Sequence, residues 1–170
     1  MNSFKKLFSI LLLFFVFAFS SYSEEPVGYI NVDYIIKNSD IGKKTLEKIN
    51  NQNTKNINDL KKKDKILKDL ETEIANKRNI ISKEAFEKEV SLFREKVNIF
   101  KKEQKQIVNN FNNYKKNELN SVLKKISPII DAYMEKKSIK ILLDAQNIFM
   151  ARNDLNFTDD ILKEINNSIK

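Results

Sequence analysis

Asp159 and Asp160 are adjacent carboxylates of the kind that serve in general acid and base catalysis, and a buried lysine would suit Schiff-base chemistry. The acid pair has a simpler place. It follows Thr158 and precedes Ile161, Leu162, Ile165 and Ile169, a helical spacing of apolar residues, and helix starts favour acids because of the backbone dipole. Thr158 is read as the cap of this final helix. The rest of the composition removes most other chemistry. The chain has no Cys and no His, so disulfides, zinc fingers, Cys or His nucleophile relays and lipid-modified cysteines are excluded. Its two Gly, at 28 and 42, cannot form a glycine-rich phosphate loop. No catalytic, cofactor-binding or metal-binding residue is assigned, and the chain is expected not to be an enzyme.

What remains is charge, and its distribution. The 170 residues carry 31 Lys+Arg and 23 Asp+Glu. Residues 1–23 form a secretory signal: Lys5 and Lys6 precede a largely apolar stretch of 13 residues, Leu7 to Phe19, and Ser21-Tyr22-Ser23 supplies small residues for cleavage. Such a stretch rises only about 20 Å as a helix, short of the ~30 Å hydrocarbon core of a membrane. The mature chain is thus expected to start near Glu24, with a net charge of +6. Within it, residues 41–137 hold 24 basic and 14 acidic residues, while the flanking segments together carry a net of −4. A block of this kind attracts acidic partners: anionic lipid, acidic polypeptide or nucleic acid. Export makes nucleic acid the poorest fit of the three, and none is expected.

The elements that carry this charge follow from the spacing of apolar residues. Between Gly42 and Ser127 there is no Gly or Pro, too long a run for one ordinary globular helix. Leu46, Leu60, Leu67 and Ile74 share one heptad position, with Ile49 and Leu70 three residues beyond Leu46 and Leu67. Phe86, Phe93, Phe100, Ile107 and Tyr114 share another, with Val90 and Phe111 four residues beyond two of them. Matching 46 with 114, 49 with 111, 60 with 100, 67 with 93, 70 with 90 and 74 with 86 gives pairs that all add to 160. A constant sum is what an antiparallel hairpin requires, and it places the reversal near residue 80. The seam is Leu46, Ile49, Leu60, Leu67, Leu70, Ile74, Phe86, Val90, Phe93, Phe100, Phe111 and Tyr114. Asn53 would face Ile107, Asn56 would face Gln104, and Asn50 and Asn51 lie opposite Asn109 and Asn110, so the arm should be softest at that polar level.

Outside the arm, residues 24–41 and 128–170 form a discontinuous body. Val27 to Asp33 reads as a strand, Tyr34 to Asn38 as a helical turn, and Ile139 to Leu143 and Ile148 to Ala151 as two more strands separated by a turn. Pro128 is expected to kink or restart the helix that runs on to Lys137. The fold class is therefore α+β, predominantly α: a small β body with a long antiparallel helical-hairpin, or coiled-coil, arm over residues 42–127. So few strands leave open edges, and partner copies are expected to close the sheet.

Apolar residues off the seam, Ile57, Ile66, Leu92, Ile99 and Val108, together with Lys61, Lys62, Lys63, Lys101 and Lys102, are the candidates for contacting another chain.

Two blocks, Gly28-Tyr29-Ile30-Asn31-Val32-Asp33 with Ser39-Asp40-Ile41-Gly42-Lys43-Lys44, and Ile141-Leu142-Leu143-Asp144 with Ile148-Phe149-Met150-Ala151 and Thr158-Asp159-Asp160-Ile161-Leu162, give the chain a resemblance. In this order around a long hairpin they resemble the Skp, or OmpH, family of periplasmic chaperones over essentially the whole mature chain. Ser138-Ile139 stands where a glycine-aromatic pair is frequent in that family, and Asn156 where an acid is frequent. The resemblance implies a soluble periplasmic homotrimer whose strands join in a three-chain barrel with three arms around a cavity. It further implies ATP-independent holding of unfolded outer membrane proteins in transit and their delivery for outer membrane assembly. Anionic lipid or lipopolysaccharide is a further candidate partner, although no local motif here fixes the basic site that some members carry. The alternative reading is a structural coiled-coil spacer or adaptor of the cell envelope.

Overall fold

The computed structural model describes residues 27–169; residues 1–23, read above as a secretory signal, lie outside the described residues. Strand β1 (Val27–Ile30) leads into helices α1 (Val32–Asn38), α2 (Asp40–Lys77) and α3 (Lys83–Lys137), followed by strand β2 (Ile141–Asp144) and helix α4 (Thr158–Ser168).

The first strand is shorter than its β-forming residues suggest because Asn31 begins a helix. Its side-chain oxygen accepts a hydrogen bond from the Tyr34 N–H at 2.9 Å, a cap that sets Val32 and Asp33 in α1. Ser39 is the single residue between α1 and α2. Its N–H closes α1 onto the Ile35 carbonyl, and its buried Oγ accepts from the Gly42 N–H at 3.2 Å to open α2. The close turn needs Gly42. A Cβ at that position would overlap the Ile36 carbonyl oxygen and lie 2.7 Å from the Ile36 carbonyl carbon. Gly28 is also a point of close approach, with the Phe157 ring 2.5 Å from where its Cβ would stand.

α2 and α3 reverse through residues 78–82, and Ser82 caps α3 by accepting from the Ala85 N–H. At 38 and 55 residues, the two helices extend about 57 and 82 Å. α3 runs through Pro128 without a break, where a kink or restart was expected. Proline removes only one donor, and the neighbouring Ser127 hydroxyl donates to the Leu123 carbonyl at 2.8 Å. The helix ends at Ser138, which takes the left-handed conformation (φ 55°, ψ 30°). This is the position where the resemblance leads one to look for glycine, and the geometry says why glycine suits it.

The body joins the two chain ends. β1 and β2 pair in parallel, Val27 with Ile141 through Ile30 with Asp144. On the other side of β1, Phe157 N–H donates to the Tyr29 carbonyl and Asn31 N–H to Thr158 Oγ1. The core beneath is Ile30, Ile35, Ile36, Val122, Ile126, Tyr133, Ile139, Ile161 and Ile165. α3 is thus both arm and body, its last turns burying Val122, Ile126 and Tyr133.

Three expectations for the body are corrected. Ile148 to Ala151 is not a strand: Asp144 caps the Gln146 N–H, and the 3-10 turn Ala145–Asn147 carries the chain away from the sheet. Phe149 and Met150 then stand 101% and 82% exposed with no strand beside them. Second, Ile139 is buried in the core, and the ladder begins at Ile141. Third, Thr158 is the first residue of α4 rather than its cap. Asn156 Oδ1 accepts from both the Thr158 N–H and hydroxyl, while Thr158 Oγ1 accepts from Asn31. Asn156 therefore does the work at this helix start that the acid frequent there in the resembled family would do.

Candidate functional site

The arm is a two-helix seam with two exposed flanks. Each of the twelve seam residues is buried or half-buried, with Ile49, Ile74 and Phe100 the most enclosed. Two helices can shield a stripe from only one side each, so most seam residues retain partial exposure. Helix-to-helix ion pairs fix the register. Lys63 Nζ lies 2.6 Å from Glu103, and Lys77 Nζ lies 3.3 Å from Glu89. The residue numbers add to the same total in both pairs, as a continuous antiparallel register demands. Lys77 also holds Glu73 at 2.8 Å. Hydrogen bonding to Glu73 and then to Glu89 raises the Lys77 pKa, and the Lys77 partner lowers that of Glu73. Near the tip the arm therefore stays ion-paired throughout the physiological range.

At the polar level the helices do not fill the space between them. Gln52 donates to Asn56 on its own helix at 2.9 Å instead of reaching across. A cleft of about 290 Å³ opens there, lined by Gln52, Asn56, Ile107, Asn110, Phe111 and Tyr114. A second cleft, of about 460 Å³, lies by Leu60, Gln104, Lys105, Val108 and Asn109. Asn56, Ile107 and Asn110 were legible as members of the weak polar level. Gln52 was not, since a polar residue beside a seam carries no periodic signal.

The contact candidates are all on the surface of the arm. Ile57, Ile66, Leu92, Ile99 and Val108 are 42%, 65%, 50%, 50% and 54% exposed. Lys61, Lys62, Lys101 and Lys102 are exposed without an ion pair among the described residues, whereas Lys63 is tied to Glu103. None of these side chains converge on a single pocket. They are spread over residues 57–66 of α2 and 92–108 of α3, which suits contact with an extended partner and not the orientation of a small substrate.

Of the two carboxylates considered for catalysis, Asp160 has a structural partner. Asp160 accepts a hydrogen bond from the Tyr133 hydroxyl at 2.9 Å. Burial, and then this bond, push the Tyr133 pKa up to about 12. Among the described residues, no cluster of acidic side chains is placed to hold a metal ion.

Residues 26–165 match the family model for outer membrane protein (OmpH-like). The chain belongs to the OmpH-like family. The match takes in both chain ends and the whole arm, so the body and the hairpin are family features together. A solved structure of a protein assigned as an outer membrane chaperone (OmpH-like) from Caulobacter crescentus is similar, with a TM-score of 0.77 and 16% identity over 87% of this chain and 88% of that one. At that identity the likeness is one of fold. A comparison with curated protein sequences gave no match. Among the described residues of this OmpH-like chain, no helix is long and apolar enough to cross a membrane.

Proposed function

We propose that this OmpH-like protein is an ATP-independent holdase of the periplasm, which binds unfolded outer membrane proteins in transit, keeps them from aggregating and aids their delivery for outer membrane assembly. The observation that carries this reading is the surface of the arm, where isolated, half-exposed apolar side chains stand among lysines in a segment with 24 basic and 14 acidic residues. An unfolded barrel protein exposes alternating apolar strands that pair edge to edge if left free. A basic arm draws an acidic client in over distance, and scattered apolar contacts hold it weakly at many points. The exposed Ile141 and Leu143 on β2, with Phe149 and Met150 beyond it, support self-association into a homotrimer that would bring several arms around one client. The division into an arm of 42–127 and a body of 24–41 and 128–170 is part of the same proposal.

The test is aggregation of a urea-unfolded outer membrane barrel protein on dilution, with and without the mature chain. Suppression at about one trimer per client, weakening as salt rises from low to physiological strength, is the expected result. No suppression at any ratio sinks the holdase reading and favours a coiled-coil spacer. Suppression indifferent to salt would assign the arm charge to solubility alone.

A further inference from the structure

The two flanks of the arm differ in chemistry. Both helix-to-helix ion pairs, Lys63 with Glu103 and Lys77 with Glu89, cross on one flank. Ile66 stands three residues after Lys63, Ile99 four before Glu103 and Leu92 three after Glu89, so helical spacing sets all three on that same flank. Seven residues further toward the body, the positions of Lys63 and Glu103 are taken by Asn56 and Asn110, and here the flank opens into the smaller cleft. Its floor is Ile107, Phe111 and Tyr114, and its rim is the three amides of Gln52, Asn56 and Asn110. The other flank carries Val108 and Lys105 beside Leu60, with Ile57 three residues before Leu60 and Lys101 seven before Val108.

We propose that the ion-paired flank is a track for one extended segment of the client, running from Leu92 past Ile99 and Ile66 into the amide-rimmed cleft. This deepens the holdase reading above and rests on it. Three observations commit the track to an extended strand. The first is length: Leu92 to Tyr114 spans about 33 Å of helix at 1.5 Å per residue, which ten residues of extended chain match at about 3.3 Å each. A membrane-spanning barrel strand has about 9–11 residues. The second is hydrogen-bonding chemistry. A strand without neighbours has free backbone N–H and C=O groups, and each rim amide both donates and accepts, while the floor takes an apolar side chain. The third is charge. On this flank the acids Glu103 and Glu89 are held by lysines, and exposed Lys96, a heptad from each, has no ion pair among the described residues, so an acidic or apolar segment meets no unpaired acid from those two positions. Attraction over distance falls to exposed lysines such as Lys61 and Lys101. Apolar positions a heptad apart do not make the continuous surface of about 800 Å² that a folded partner needs.

The chain has no Cys, so single-cysteine variants can be labelled cleanly. Ile99→Cys and Asn110→Cys report on the track and Val108→Cys on the opposite flank, each carrying a benzophenone crosslinker in the full mature chain. The probe is a small outer membrane barrel protein, unfolded in urea and diluted into the chaperone. Crosslinking from 99 and 110 is expected to exceed that from 108 roughly fivefold, the factor that losing about 1 kcal/mol of apolar contact produces. Ile66→Ser with Ile99→Ser should weaken capture by a similar factor at unchanged helical content, and by more than Ile57→Ser with Val108→Ser does. Equal crosslinking from both flanks with aggregation still suppressed overturns the track and leaves the holdase standing. Absence of both crosslinking and suppression overturns the two together.

Discussion

Gly42→Ala is a substitution for which two physical effects predict opposite signs. Gly42 is the third residue of α2. Helix propensity alone makes alanine there better by up to about 1 kcal/mol. The packing says otherwise. The new Cβ would overlap the Ile36 carbonyl oxygen, lie 2.7 Å from the Ile36 carbonyl carbon and 2.8 Å from Ser39 Oγ. Ile36 is in the last turn of α1, so the two closest contacts are with backbone that cannot swing aside, and the Ser39 hydroxyl is engaged in the cap of α2. Relief requires the helices to part, which would draw Ile35 and Ile36 out of the core. Overpacking of this kind costs about 1–3 kcal/mol, and contact with backbone belongs at the upper end. Subtracting the propensity gain leaves a net loss of about 2 kcal/mol. At roughly 2–4 °C per kcal/mol for a chain of this size, the midpoint should fall about 4–8 °C. Circular dichroism of both proteins at one fixed concentration measures it, since association would otherwise shift the midpoint. Gly28→Ala is the internal control: its Cβ meets the Phe157 ring, a side chain able to rotate, and the loss should be smaller. A Gly42→Ala variant as stable as the parent, or more so, would refute the close-approach argument.

Ser138→Gly should raise stability by about 1 kcal/mol, because it removes a side chain from a left-handed residue at φ 55°; urea unfolding reads the gain. Phe100→Ala, deep in the seam at 9% exposure, should cost about 3 kcal/mol, whereas Lys63→Gln breaks only a half-exposed ion pair and should cost under about 1 kcal/mol. The same denaturation series ranks the two. The folded chain holds the Tyr133 proton more tightly than the unfolded chain does. Its contribution is therefore complete below the ordinary pKa of 10 and declines as the pH rises toward 12; Tyr133→Phe should lose this alkaline step relative to the parent. In hydrogen exchange, amides around Gln52 to Asn56 should exchange faster than those around Leu67 to Ile74, and uniform protection along α2 would contradict a soft polar level.

The arm was legible because its signal repeats. A heptad phase shared by Leu46, Leu60, Leu67 and Ile74, and by Phe86, Phe93 and Phe100, is tested many times within one chain, and the pairing sum follows from it. The body offers no repetition. Ile148 to Ala151 has strand-forming residues, yet a strand exists only where a neighbour completes its ladder, and none lies beside it among the described residues. The Thr158 assignment failed for a different reason. Thr, Asn and Asp all cap helices, and the choice between Asn156 and Thr158 turned on the demand of Asn31 N–H, 127 residues away, for the Thr158 oxygen. The cleft was largely legible: the seam pattern marked Asn56, Ile107 and Asn110, while Gln52 joined the rim through the three-dimensional register.

A softer level in the middle of the arm follows from how its two ends are held. Toward the body, α3 is anchored by Val122, Ile126 and Tyr133 in the core, and α2 by Gly42, Thr45 and Ile49. Toward the tip, Ile74 is buried and Lys77 binds acids on both helices. Between these anchors the seam passes from Leu60 and Phe100, through the amide level, to Ile49 and Phe111. Filling that level with leucine would close the cleft and stiffen the hairpin, since each buried apolar side chain contributes about 1.5–3 kcal/mol. The same change would remove a place on the ion-paired flank where hydrogen-bonding groups and an apolar floor adjoin. Under the proposed track, stability of the arm and its capacity to receive an extended chain draw on the same few positions, and asparagine at 56 and 110 favours the second.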